Sequence, residues 1–390
     1  MSEYRALLVA YGLPDIVFFL LLPVGIYFFY RWLVLRKPHL KAGFLTFVLC
    51  LHVVFGLFYA YLSANGMTAD ATLYFKDAFV LDHWTIPKRL GTRAVVAVTY
   101  PFIHFFGLGY FSVTTIFGLL GFIGLFCLYL KIHEKLQYPA QHRILNGIFL
   151  LPGFHFWSCA LGKDSLIQLG IGLFLSRADH PLKKILTFGL GGFVVLAMRP
   201  HIFGLLLLGY AFGLVFSESS IFSFKKMVLL ILIGLTIASS TVMILRYVGL
   251  PNLSNLDQLN AYIDIRSGHN PSNSKVDLSH ASFPEKIFAF SFRPLFFDAK
   301  NALMLIVSFE NLILLWLCRD LFNLRFWAYI IKTREFYPKL FFFYWLFGSA
   351  MLGLTNFNLG ISVRQKWMVL HILLFLILLY QNHQQQQKNT

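Results

Sequence analysis

Apolar runs long enough to cross a bilayer, about 20 residues each, recur along almost the whole chain between short polar breaks. The pattern predicts eleven spans, near 14–35, 42–62, 110–130, 144–160, 165–178, 185–198, 202–217, 227–248, 300–318, 338–354 and 367–380. The expected fold is therefore an all-α polytopic membrane protein, a single integral membrane domain over 1–380. Two long loops interrupt it, 63–109 and 249–299. In the first, 93–109 carries Thr99-Tyr100-Pro101, His104, Gly107 and Gly109. That composition suits an interfacial helix, and a central Pro101 disfavours a straight crossing. In the second, Ser267-Gly268-His269-Asn270-Pro271 reads as a mobile loop, preceded by an amphipathic stretch with Leu256, Leu259, Tyr262 and Ile263 at helical spacing. The polar, Gln-rich segment 381–390 reads as a disordered tail.

Several spans between 144 and 217 are short. A helix of about 14–17 residues reaches only about 21–26 Å, less than the ~30 Å hydrocarbon core. Turns joining such helices fall below the membrane surface, where irregular backbone is tolerated only inside protein or along a cavity. Lys163, Asp164, Arg199 and His201 occupy those turns and are expected to face a recess.

Composition agrees with the pattern. The chain is 58% hydrophobic and 18% aromatic, with 13% charged residues, where soluble domains carry roughly 25%. The net charge of +16 comes from basic residues scattered between apolar runs. They form no stripe and no nucleic-acid-binding module, so no nucleic-acid partner is expected. Placing the loop at 31–43 inside makes every short inner loop basic, as the positive-inside rule requires. The N-terminus then lies outside, the tail is cytoplasmic, and both long loops are external. The first apolar run ends in Arg31, Arg36, Lys37 and Lys41, the reverse of a signal peptide's basic start. No cleavable signal is expected. Cys50, Cys127, Cys159 and Cys318 have no metal-ligand spacing and no disulfide framework.

The remaining polar clusters carry the chemistry. Asp70, Tyr74 and Asp77 share one helical face, with the two carboxylates about 10 Å apart along the axis. A carboxylate there could deprotonate an acceptor hydroxyl or hold a divalent cation; capping and solvation are the structural alternatives. Gly162-Lys163-Asp164-Ser165 is either a hairpin turn with Asp164 capping the next helix or a phosphate clamp at that helix's start. Arg199-Pro200-His201 interrupts an apolar run, where Arg costs roughly 2.5–3.5 kcal/mol and marks a functional site by default. Its guanidinium would pair with phosphate oxygens and His201 could exchange a proton. Arg293-Pro294 and Arg364-Gln365-Lys366 supply further external cations, or interfacial anchors. Glu310, within a span, needs a partner that the sequence does not name.

The segment Ala69-Asp70-Ala71 with Tyr74 and Ala78, then Tyr100-Pro101 and Gly107-Leu-Gly-Tyr110, resembles the GT-C superfamily of membrane glycosyltransferases. Phe156-Trp157-Ser158 with Lys163-Asp164, then Arg199-Pro200 and Arg364, is similar to bacterial polysaccharide polymerases of the Wzy and EpsG kind. The resemblance covers residues 42–217 with some specificity and the rest of the chain only in outline. It implies a polyprenyl-phosphate-linked sugar donor, an external active site in a bacterial inner membrane, and Asp70 as base or metal-binding carboxylate. Two departures stand against it: the next carboxylate after Asp70 is Asp77, and an additional helix precedes the usual first span.

The expected function is glycosyl transfer or polysaccharide polymerisation from that lipid-linked donor. Asp70, Asp77 and His201 are the candidate catalytic residues. Lys163, Asp164, Arg199, Arg293, Arg364 and Lys366 are the candidate substrate contacts. No cofactor is identified beyond a divalent cation that Asp70 could hold. The partners implied are the lipid-linked saccharide and membrane lipid. Two alternatives remain: a transporter or flippase of lipid-linked or anionic substrates, and a non-catalytic subunit of an envelope complex.

Overall fold

A computed structural model describes residues 12–66, 70–87, 90–217, 281–355 and 358–389, with Leu8, Ile231 and Gly234. Apart from Ile231 and Gly234, the span expected at 227–248 lies outside these residues, as do the amphipathic stretch and loop at 256–271. The described residues are all-helical, without a strand element. They form α1 (Leu13–Arg36), α2 (Ala42–Ala64), α3 (Asp70–Phe79), α4 (Thr92–His104), α5 (Tyr110–Lys135), α6 (Pro139–Ile148), α7 (Pro152–Phe156) and α8 (Lys163–Leu175). After these come α9 (Ile185–Met198), α10 (Pro200–Val215), α11 (Phe283–Phe292), α12 (Ala302–Leu317), α13 (Leu324–Lys332), α14 (Phe336–Thr355), α15 (Leu359–Gln365) and α16 (Leu370–Asn389).

The chain is membrane-embedded. Helices α1, α2 and α5 are long and apolar enough to cross a bilayer, and α15 with α16, bent by 48° at a short break, makes a fourth candidate. Helices α9, α10 and α12 are apolar but shorter. Helix α1 exposes Leu13, Leu20, Leu21, Phe28 and Leu35, the surface expected where lipid rather than water is the neighbour. The run expected to cross at 144–160 is not one helix: Pro152 removes a backbone donor and starts the five-residue α7. The Gln-rich tail, expected to be disordered, continues α16 to Asn389. Gln is a good helix former, and elongating an existing helix avoids the cost of nucleation.

Where one membrane domain was expected, the chain divides into two compact units, Met1–Leu130 with Phe154–Arg199, and Lys131–Gly153 with Pro200–Thr390. In the first unit, Val48, Leu49, Val53 and Phe122 form a core that Leu22, Ile26, Phe29 and Phe126 complete. Asp15 ties the start of α1 to the start of α5. Its carboxylate accepts from Gly12 N (3.0 Å), Gly109 N (2.8 Å) and the Ser112 hydroxyl. Helices α5 and α8 meet through glycine: a Cβ on Gly124 would sit 2.1 Å from Gln168 O, and one on Gly172 would sit 2.1 Å from Gly124 O. Small residues permit such backbone approach in membranes.

In the second unit the apolar part of α16 is buried from Leu370 to Tyr380. Helix α14 packs on α10, where a Cβ on Gly209 would meet Tyr344 at 2.7 Å. Tyr344 also donates to Met368 O (3.1 Å), fixing α14 to the turn before α16.

Candidate functional site

The first unit gathers three of the sequence-predicted residues. Helix α8 starts at Lys163, and Asp164 lies in its first turn. Asp164 Oδ1 is 3.2 Å from Arg199 Nη2, with the two side chains only 10% and 13% exposed. Arg199 ends α9, donating its N–H to Val195 O (2.8 Å). The loop before α4 closes on the same point: Gly91, at φ +82°, donates to Ala197 O (2.8 Å). That left-handed φ favours glycine. The Lys163 amine is 3.6 Å from where a Gly91 Cβ would be. Three breaks in apolar sequence thus converge as Gly91, Lys163-Asp164 and Arg199.

Arg199 meets the Asp164 carboxylate here, and the Lys163 amine lies against Gly91, at a helix N-terminus whose partial positive charge also favours an anion. Removing either partner of so buried a pair would leave an uncompensated charge, at a cost of about 3–5 kcal/mol.

Asp70 begins α3. One turn on, Tyr74 is buried, and its ring lies 3.6 Å from where a Cβ on Gly162 would be. Asp70 and Asp77 are both exposed, whereas Tyr74, assigned by spacing to their face, turns inward. Among the described residues no three His, Cys, Asp or Glu side chains group to hold a metal ion. A divalent cation at Asp70 would therefore lack a protein-built cage among them. The segment after Asp70 that was expected to be interfacial is helical as α4, with Pro101 in its last turn and Trp84 Nε1 donating to Ala97 O (3.0 Å).

The second unit holds His201, Arg293, Arg364 and Lys366. His201 is half-buried in the first turn of α10, and Arg364 is half-buried in α15. Arg293 forks onto Asp298, with Nε 2.9 Å from Oδ2 and Nη2 on Oδ1. That hydrogen bond is the main influence raising the guanidinium's pKa. Burial pushes the Asp298 carboxyl up, but the Arg293 fork, the Leu295 amide and the Arg293 charge outweigh it. They hold the carboxyl below its usual range. Lys366 is fully buried and donates to Asn311 Oδ1, and Asn311 Nδ2 donates to Pro294 O (2.7 Å).

Glu310, whose partner the sequence left open, accepts from Gly153 N (2.6 Å) and interacts electrostatically with Lys366. A Cβ at Gly153 would meet Glu310 Oε2 at 2.4 Å and Trp367 Nε1 at 2.6 Å, so a larger residue there would displace these side chains.

Sequence reasoning missed a third cluster. His52 and His155 are buried with their Nδ1 atoms 2.9 Å apart, and His52 Nε2 lies 3.0 Å from Gly118 O. The available signal was a histidine in the middle of the apolar run of α2.

Comparison with family models, with curated proteins and with solved structures gives no match.

Proposed function

We propose that the chain transfers glycosyl units from a polyprenyl-phosphate-linked donor at the external face of the membrane, as the glycosyltransferases and polymerases it resembles do. The observation that carries this reading is the start of α8, where Lys163 lies beside Gly91 and Asp164 pairs with Arg199. A phosphate-bearing leaving group needs cations and backbone donors held ready before charge develops. In the proposed reaction an acceptor hydroxyl oxygen bonds to the anomeric carbon as the carbon–oxygen bond to phosphate breaks. The acceptor's proton passes to a carboxylate, and the lipid phosphate leaves against Lys163 and Arg199. Asp70 is the base on this account, supported by its position one turn before the Tyr74 ring that lies on Gly162.

The proposal includes about eleven crossings, the one at 144–160 broken at Pro152, an external N-terminus, a cytoplasmic C-terminus and a bacterial inner membrane. The basic short loops and the short apolar helices α9, α10 and α12 support that topology. A second reading, movement of a lipid-linked or anionic substrate, draws support from Glu310 and Lys366, since ionisable pairs inside apolar segments mark transport paths.

Reconstituting the full chain with lipid-linked saccharide extracted from producing cells separates the two. A new glycosidic bond, formed at least about 100-fold more slowly by Arg199→Ala, supports transfer. Translocation of the lipid without a product supports movement.

A further inference from the structure

Helix α13 and the turn before it have an outer face that the proposed chemistry does not use. Its inner face is Phe326, Tyr329 and Ile330, packed on α16 with ring centroids 5.3 Å (Phe326–Tyr380) and 4.9 Å (Tyr329–His383) apart. Lys339, buried in α14, donates to Ile330 O (2.7 Å) and Ile331 O (3.2 Å), which satisfies carbonyls at the end of α13. Asn323 caps the other end through Arg325 N (3.0 Å). The helix is therefore held rigidly at both ends.

Its outer face is apolar and basic together. Phe322 is 82% exposed, Leu324 84% and Ile331 76%. Arg319, Arg325, Lys332 and Arg334 are exposed among them. Of the two carboxylates nearby, Asp320 is turned to Gln381 Nε2 (2.7 Å), leaving Glu335 exposed.

The position of the membrane surface is marked just upstream. Helix α12 presents a stripe of exposed apolar residues, including Ile306, Phe309 and Ile313, that ends at Trp316. The Arg319 guanidinium lies 4.6 Å over the Trp316 ring and donates to Trp316 O (3.3 Å). A tryptophan with a cation at the end of an apolar stripe is the pattern of a membrane–water interface, and α13 follows within a few residues.

We infer that α13 is an interfacial anchor that seats Phe322, Leu324 and Ile331 among acyl chains and binds anionic lipid headgroups through Arg325, Lys332 and Arg334. Continuity with the lipid-facing stripe of α12 argues for lipid as the occupant. The excess of cations over exposed carboxylates argues for acidic headgroups over zwitterionic ones. The inference rests on membrane embedding alone and does not depend on the proposed chemistry.

The test uses Trp327, which is 36% exposed on α13 and donates to Leu321 O (2.8 Å). The full chain and its Trp327→Phe variant are reconstituted in phosphatidylcholine vesicles containing either brominated phosphatidylglycerol or brominated phosphatidylcholine. The difference in fluorescence isolates Trp327. Brominated phosphatidylglycerol is expected to quench it at least about three-fold more strongly, and the preference is expected to vanish in Arg325→Gln/Lys332→Gln/Arg334→Gln and in the unaltered protein at high salt. Equal quenching by the two lipids, quenching by neither, or a preference that survives high salt would overturn the inference. The salt arm needs no substitution in the basic face, so it decides the matter even if the triple variant does not fold.

Discussion

Nδ1 of His52 lies 2.9 Å from Nδ1 of His155, with both rings fully buried. A carbonyl only accepts, so His52 Nε2 must carry the proton that reaches Gly118 O. When His52 is neutral, its Nδ1 is then an acceptor and His155 Nδ1 donates. The pair ties α2 to α7, just ahead of the turn that leads into Lys163.

Replacing either ring by phenylalanine leaves the other with an unmatched buried nitrogen. His52→Phe and His155→Phe are each expected to lower stability by about 1–3 kcal/mol. The double variant should lose less than the sum of the two. Thermal unfolding in detergent across the four proteins measures that coupling; strictly additive losses would mean the two nitrogens are not bonded.

Glycine packing gives a second expectation. Gly124→Ala and Gly172→Ala each force a Cβ to 2.1 Å from a carbonyl oxygen, and overpacking of this kind costs about 1–3 kcal/mol. At Gly189, in α9, nothing lies within 4 Å of an added Cβ. Gly189→Ala should therefore be neutral or stabilising by up to about 1 kcal/mol. Melting temperatures of the three variants check the contrast, and equal losses at all three would contradict the close approach of α5 and α8.

Acid stability should report the Arg293–Asp298 pair. Asp298 has a depressed pKa in the folded protein and the ordinary value of about 3.9 once unfolded. Its stabilisation is thus fully present above that value and is lost as pH falls through the folded one. Asp298→Asn should lower stability at neutral pH by about 1.5–3 kcal/mol and flatten the loss between pH 4 and lower values, about where the wild-type protein weakens. Unfolding followed against pH for both proteins would show it. A variant with the same acid limb as the wild type would rule the pair out as its source.

Hydrophobic length made the long helices legible. The spans expected at 14–35, 42–62 and 110–130 correspond to α1, α2 and α5, and 185–198 matches α9. Lys163, Asp164 and Arg199 were legible as breaks in apolar runs, and they meet because the ends of α8 and α9 do. The His52–His155 bond was not legible, since it joins positions 103 residues apart that no local period relates. Nor was Asp298, a single acid in a mixed loop that becomes the partner of Arg293 only when the turn at Phe296–Asp298 folds back. At 144–160, hydrophobicity argued for one continuous helix, and the Pro-Gly step at 152–153 breaks it.

The central claim is external glycosyl transfer at the Lys163–Asp164–Arg199 cluster with Asp70 as base. Cells carrying Asp70→Asn or Arg199→Ala at wild-type protein level test it, with lipid-linked saccharides and surface glycans compared by mass spectrometry. The account predicts lost or shortened glycan in both variants, with the lipid-linked precursor accumulating in the outer leaflet. Precursor held in the inner leaflet would contradict it in favour of a flippase, and an unchanged glycan profile in both variants would contradict it outright.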